Sequence, residues 1–217
     1  MPSSTRHVVL DTETTGLSPD SGHRIVEIGC VEIDNAVLTG RTFHRYVNPQ
    51  RDMPDGAFKV HGLSADFLSQ HPPFENHYSD LIDFLQDATL VIHNAPFDMR
   101  FLNAEMKWLD QNPLHHTVVD TLKMARRQFP GSPVSLDALC RRFHIDLRQR
   151  THHGALLDAQ LLAHVFQFMT VKSLVDCSEK KDTYTITPRI YRAPRSFPVS
   201  EAEHQAYVEM IKKISRQ

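Results

Sequence analysis

His7-Val8-Val9-Leu10-Asp11-Thr12-Glu13-Thr14-Thr15-Gly16 is a short apolar run that breaks at once into acids and hydroxyls. Its β-branched start predicts a buried strand, and its polar end predicts a turn. Alternation along a strand puts Asp11 and Glu13 on one face and Thr12 on the other. Two carboxylates at the end of a buried strand lie where open α/β sheets place their sites, beyond the strand ends. Outward from this stretch, strands are predicted over 24–33 and 42–47, the second closed by Asn48-Pro49. Short connections among the three imply an antiparallel meander.

The pattern then changes. Segments 63–68 and 78–85 have apolar residues three and four apart and predict helices. Thr89-Leu90-Val91-Ile92-His93 predicts a fourth strand, followed by a helix over 98–109. Thr117-Val118-Val119-Asp120 predicts a fifth strand, and helices are expected near 121–129, 135–143 and 154–169. A meander followed by alternating strand and helix implies an α/β fold, a mixed five-stranded sheet with helices on its faces. Three prolines, Pro188, Pro194 and Pro198, mark 171–199 as a linker. Ser200-Glu201-Ala202-Glu203 is a capping box opening a short helix, whose stripe is Ala206, Tyr207, Met210, Ile211 and Ile214. Such a helix is marginal alone and needs a partner to bury its stripe. The expected organisation is a body over 1–170, a linker over 171–199 and a docking helix over 200–217.

Composition excludes several classes. The chain has 217 residues, 41% of them apolar and 23% charged, which suits a packed globular core. No run approaches the roughly 20 apolar residues of a membrane span, so no membrane association is expected. The first residues, Met1 to His7, lack the apolar core of a secretory signal. Cys30, Cys140 and Cys177 are far apart, odd in number and without a CxxC pair. That argues against a disulfide scaffold or a structural zinc, and fits a reducing cytoplasm. A net charge of −2 excludes a generic basic coat for nucleic acid. Residues 1–169 carry 15 basic and 20 acidic side chains, whereas 170–217 carry 9 and 6. Body and tail thus differ in sign.

Two further acids join the first pair. Asp98 follows the fourth strand, and Asp158 lies among Leu156, Leu157, Leu161 and Leu162 with His153 five residues before it. A half-buried acid on an apolar face needs a partner or a metal. Each residue alone has an ordinary reading: turn acids for Asp11 and Glu13, a helix cap for Asp98, an ion pair for Asp158, a surface ring for His153. Together, four converging carboxylates require cations. Hard oxygen ligands select Mg²⁺ or Mn²⁺. Two such ions form the clamp used for in-line displacement at phosphorus, with a neutral His as the proton acceptor.

Asp11-Thr12-Glu13-Thr14-Thr15-Gly16, His93-Asn94-Ala95-Pro96-Phe97-Asp98 and His153-Gly154-Ala155-Leu156-Leu157-Asp158-Ala159 resemble the three motifs of the DEDDh 3′→5′ exonucleases. With Ser135-Leu136-Asp137-Ala138-Leu139-Cys140, the pattern is similar to the epsilon, or proofreading, subunits of bacterial DNA polymerase III, over about residues 6–170. The resemblance implies a ribonuclease H-like fold. It implies that Asp11, Glu13, Asp98 and Asp158 hold two divalent cations and that His153 is the general base. It implies substrate contacts from Asp11, Thr12, Glu13, Gly16, His61, Asn94 and Asp158. The pattern departs at Gly56, where members often carry a carboxylate or amide; Asp55 is the candidate replacement.

The implied substrate is a single-stranded or frayed DNA 3′ end, and the implied product a 5′-mononucleotide. The implied partner is the polymerase alpha subunit, reached through the C-terminal tail, with the sliding clamp and a small accessory subunit as further candidates. A free-standing nuclease on RNA ends and an inactive adaptor are the rivals. Asp120, His115-His116 and His152 are expected to lie outside the chemistry, Trp108 to be core, and the Arg126-Arg127, Arg141-Arg142 and Arg148-Arg150 pairs either to track phosphates or to form a solvated face.

Overall fold

The computed structural model describes residues 6–148 and 152–179, with side chains up to Thr170. The linker beyond 179 and the predicted tail helix lie outside the described residues. The strands are β1 (Arg6–Thr14), β2 (Ile25–Asp34), β3 (Val37–Tyr46), β4 (Thr89–Ile92) and β5 (Val118–Asp120). They form one sheet in the order β3-β2-β1-β4-β5. β1 pairs antiparallel with β2, and β2 with β3; β4 runs parallel to β1, and β5 to β4. This is the predicted mixed sheet.

The helices are α1 (Asp55–His61), α2 (Ala65–Ser69), α3 (Tyr78–Leu85), α4 (Ala95–Trp108), α5 (Thr121–Gln128), α6 (Leu136–Arg142) and α7 (Ala155–Glu179). Alternation along the strands divides them into two layers. Val8, Leu10, Ile28, Cys30, Leu90 and Ile92 pack with α3 and α4. Val9, Val31, Ile33 and Val91 pack with α5, α6 and α7. Asp11 and Glu13 share the parity of Val9, so they emerge on the α7 side. Cys30 and Cys140 are buried free thiols, and the Cys30 thiol is pushed far above its usual range by burial. Among the described residues no helix is long and apolar enough to cross a membrane.

Several boundaries differ from the sequence reading, for physical reasons. β3 begins at Val37, five residues early, after a turn in which Asn35 and Ala36 both have positive φ. Its first half is exposed, so no apolar alternation announces it. α1 was not predicted. Phe58 and Val60 are its large apolar residues, and they face solvent at 43% and 47% exposure, so a buried stripe is missing. Gly62 ends α1 in the left-handed region that favours glycine, and Ser64 caps α2 by accepting from the Phe67 N–H. α7 runs to Glu179, so the first part of the predicted linker is helical. Trp108 is not core. It is 45% exposed and stacks over the Arg24 guanidinium at 4.5 Å.

Candidate active site

The C-terminal end of β1 brings its acids to the first turn of α7. Asp158 is 3% exposed, and its N–H donates to the Gly154 carbonyl at 2.8 Å. His153 lies just before the helix, with Nδ1 3.2 Å from Asp158 Oδ2 and half of its side chain in solvent. Its backbone N–H donates to the Val60 carbonyl at 3.2 Å, which ties the loop to the end of α1. Ligand atoms of Glu13, His153 and Asp158 all fall within 4.8 Å of one another. Asp11 lines the same cleft as His153 and Asp158, together with His93, Arg126, Ser135 and Asp137.

Asp98 arrives from the other side of the sheet. Thr12, between the two acids, donates to Asp98 Oδ1 through its N–H at 3.1 Å and its hydroxyl at 2.7 Å. Thr12 therefore lies on the predicted opposite face, and its use there is to hold Asp98. The Asp98 carboxyl is fully buried, and burial pushes it from the usual carboxylate range up to about 7 despite the Thr12 hydrogen bonds. A buried carboxyl with that displacement beside other acids suits a divalent cation, which would restore its charge. Glu13 and Asp158 supply oxygens at ligand spacing, and Asp11 lines the cleft beside Asp158. The residues present thus fit hard oxygen-seeking ions.

Asp98 gives a measurable consequence. Its folded carboxyl titrates above its ordinary range, so the folded state disfavours the charge. The penalty is absent below about pH 4, grows from there to about pH 7, and is full above. In chelator, Asp98→Asn is expected to be more stable than wild type by on the order of 4 kcal/mol at pH 8, and equal to it at pH 4. Thermal melts at the two pH values check this.

Beside the acids lies a cavity of about 590 Å³. Thr12, Glu13, Gly16, Leu17, Val60, His61 and Phe97 are among the residues that line it. The turn beneath is pinned by Thr15 N–H to the Arg24 carbonyl at 2.9 Å, Arg24 N–H to Thr15 Oγ1 at 3.0 Å and Thr14 Oγ1 to the Gly16 carbonyl at 2.7 Å. Arg24 itself is clamped by buried Glu105 through two bonds, 2.9 and 2.6 Å. His61 is buried; its Nδ1 accepts from the Leu63 N–H at 3.0 Å, which puts the neutral ring's proton on Nε2. Nε2 is buried without a hydrogen-bond partner of good geometry among the described residues, and burial lowers the ring's pKa. A neutral ring thus lines an apolar pocket. An acid-lined cleft and an apolar pocket that meet at Glu13 and Asp158 can hold a phosphodiester with its terminal nucleoside buried.

The Exonuclease (RNase_T) family profile matches residues 8–166. The chain belongs to this exonuclease family. The exonuclease is 45% identical to DNA polymerase III subunit epsilon of Rickettsia typhi over 224 aligned residues, covering 98% of each chain. It is 48% identical to the same subunit of Escherichia coli K12, over 76% of this chain and 72% of that one. Among solved structures it is similar to exonuclease X in complex with 5′ overhanging duplex DNA, with a TM-score of 0.62 and 26% identity, covering 77% of this chain and 92% of that one. The nuclease domain of 3′hExo, a DEDDh family member, shares the fold with a TM-score of 0.66 at 18% identity, over 79% of this chain and 94% of that one.

The remaining predicted residues of the exonuclease fall as follows. Asn94 is exposed, in a left-handed conformation just before α4, and it is not among the residues lining the cavity. Gly56 lines the cavity, whereas Asp55 is exposed and does not. Asp120 caps α5, accepting from Leu122 and Lys123 N–H groups. His115 and His152 are exposed, and His116 Nε2 lies 2.8 Å from the Gln86 carbonyl oxygen. Arg148 pairs with Asp146. Sequence reading missed Leu17 and Phe97 as cavity walls and His93 as a cleft residue, whereas Val60 belongs to the Val60-His61-Gly62 segment that the resemblance places against the terminal nucleotide. Phe97 adjoins Asp98 in the chain, which was the available signal; Leu17, 83% exposed, had none but its place after Gly16.

Proposed function

We propose that the chain is the proofreading 3′→5′ exonuclease subunit of a bacterial DNA polymerase III, acting in the cytoplasm on frayed DNA 3′ ends. The observation that carries this reading is the joining of Glu13, His153 and Asp158 at ligand spacing beside a cavity of nucleoside size. Asp11, Glu13, Asp98 and Asp158 would hold the divalent ions, Mg²⁺ or Mn²⁺. When bound, those ions supply positive charge to the scissile phosphate and to the attacking and leaving oxygens.

The protein's own residues do the rest. The cavity walls, the His61 ring among them, bury the terminal nucleoside. Asp158 holds the His153 ring through Nδ1, which leaves Nε2 as the basic nitrogen that takes the proton of the attacking water. Thr12 fixes Asp98 so that the carboxylates do not rearrange when charge changes. The 3′-terminal nucleotide leaves as a 5′-monophosphate. Selectivity for a mispair follows from fraying, since an unpaired end enters a single-strand site at lower cost.

Partners are read from the relatives named DNA polymerase III subunit epsilon, one of which aligns along 98% of this chain, tail included. The tail helix stripe would dock on the polymerase alpha subunit by the helix-in-groove mode, and the tether would keep the exonuclease at high local concentration near the primer end. The sliding clamp and a small accessory subunit are further candidates on the same basis.

The test uses labelled duplexes with a mispaired or a paired 3′ end, and an RNA of the same sequence. The expected result is release of 5′-mononucleotides, with the mispaired DNA end removed about tenfold or more faster than the paired one, in line with a few kcal/mol of unpairing cost. Equal rates on both DNA ends, or preference for RNA, would overturn the reading.

A further inference from the structure

Gly29 lies on β2 directly opposite Asp11 in the antiparallel register. It shares the face that carries Asp11 and Glu13, the face covered by α7. Nothing in the sequence motifs points to it. A Cβ placed on Gly29 would fall inside contact distance of three backbone atoms, Ala155 C, Ala155 O and Leu156 N. These atoms belong to the first turn of α7. The helix backbone therefore rests on the bare strand, with no side chain between them. Ala155 is fully buried in the same contact. Three residues on, the same turn presents Asp158, and one residue before it Gly154 joins the turn to His153.

We propose that Gly29 is a positioning residue that sets the height of the α7 N-terminus above the sheet, and so the distance from Asp158 and His153 to Asp11 and Glu13. The alternative reading of the glycine, a backbone needing positive φ, does not apply, because Gly29 is not among the residues with positive φ. What requires a glycine here is the approach of another backbone. The obstructing atoms are main-chain atoms of a helix, so they cannot swing aside as a side chain would. A methyl group must lift the whole first turn, by on the order of 1 Å, a displacement that costs about 100-fold in rate when it falls between catalytic groups. The middle of α7 is held by Leu162, Val165, Phe166 and Met169 in the core. The helix would then tilt rather than detach.

This inference rests on the exonuclease reading above, and the experiment separates the two. Gly29→Ala is compared with wild type and with Val31→Ala. Val31 lies on the same strand and face, 3% exposed, and its truncation loosens the packing without adding an atom under the first turn. All three full-length chains are assayed on a single-stranded DNA 3′ end across a Mg²⁺ titration at 10 °C, with circular dichroism and melting recorded. Gly29→Ala is expected to fold, to lose about 100-fold in kcat, and to need about tenfold or more Mg²⁺ for half-maximal rate, with KM for the DNA end within about threefold of wild type, because the cavity walls are untouched. Val31→Ala is expected to melt earlier with kcat and Mg²⁺ requirement close to wild type. A Gly29→Ala chain with wild-type kcat and Mg²⁺ requirement would overturn the proposal while leaving the exonuclease reading intact. So would one that does not fold at 10 °C, since the methyl would then break the sheet rather than lift the helix. An inactive wild type, correctly folded in Mg²⁺, would remove the exonuclease reading itself and this proposal with it.

Discussion

Asp158→Asn is expected to lose at least about 10³-fold in kcat on a DNA 3′ end while keeping its fold. The substitution is nearly isosteric, and the N–H of residue 158 still bonds the Gly154 carbonyl. What disappears is one of the charges that gather at the end of β1. A neutral amide is a weaker ligand for a hard cation, so half-saturating Mg²⁺ rises. The contact from His153 Nδ1 also loses its anionic acceptor, and the ring loses the charge that orients it. Melting in chelator should be unchanged or raised, because repulsion among converging acids is relieved. Lower activity with a higher melting point is a signature that a damaged core does not produce. Steady-state rates over a Mg²⁺ series, with melts in chelator, check the prediction. A variant with wild-type turnover would remove Asp158 from the site.

His153→Ala is expected to cost about 10²–10⁴-fold in kcat, the usual range for a lost general base. Its metal requirement should stay within about threefold of wild type, because hard ions prefer the carboxylate oxygens over an imidazole. The spacing alone allows the other assignment, since His153 stands among the groups at ligand distance. Half exposure of its ring favours a base that meets solvent water over a buried ligand. The two variants therefore separate the roles. Asp158→Asn moves both rate and metal dependence, whereas His153→Ala moves rate. A His153→Ala chain that no longer responds to Mg²⁺ would make the ring a ligand.

The acids were legible because period-2 alternation and strand ends are local properties. Asp11 and Glu13 stand where that arithmetic puts them, with Thr12 turned the other way. The use made of Thr12 was not legible, because its partner Asp98 is 86 residues distant. Gly29 was invisible for a related reason: the backbone it admits is that of Ala155 and Leu156, which no local pattern connects to β2. α1 escaped because Phe58 and Val60 face outward, so a functional wall of the cavity has the surface pattern of a loop. The helical spacing of Trp108 predicts core, yet its ring is 45% exposed and lies against the cation of Arg24. Elements that bury a stripe were read from sequence; elements whose apolar atoms line a cavity or meet an ion were not.

The β1 acids and the α7 turn would hold the divalent ions, which would supply the charge that lets water cleave the terminal phosphodiester of a DNA 3′ end. The most direct measurement is digestion of a 3′-mispaired, end-labelled DNA by the wild-type chain in Mg²⁺ and in chelator, with Asp11→Ala as the matched control. Stepwise loss of 3′ nucleotides is expected in Mg²⁺, none in chelator, and none by Asp11→Ala in either. Digestion that persists in chelator, or that Asp11→Ala carries out at the wild-type rate, would contradict this reading.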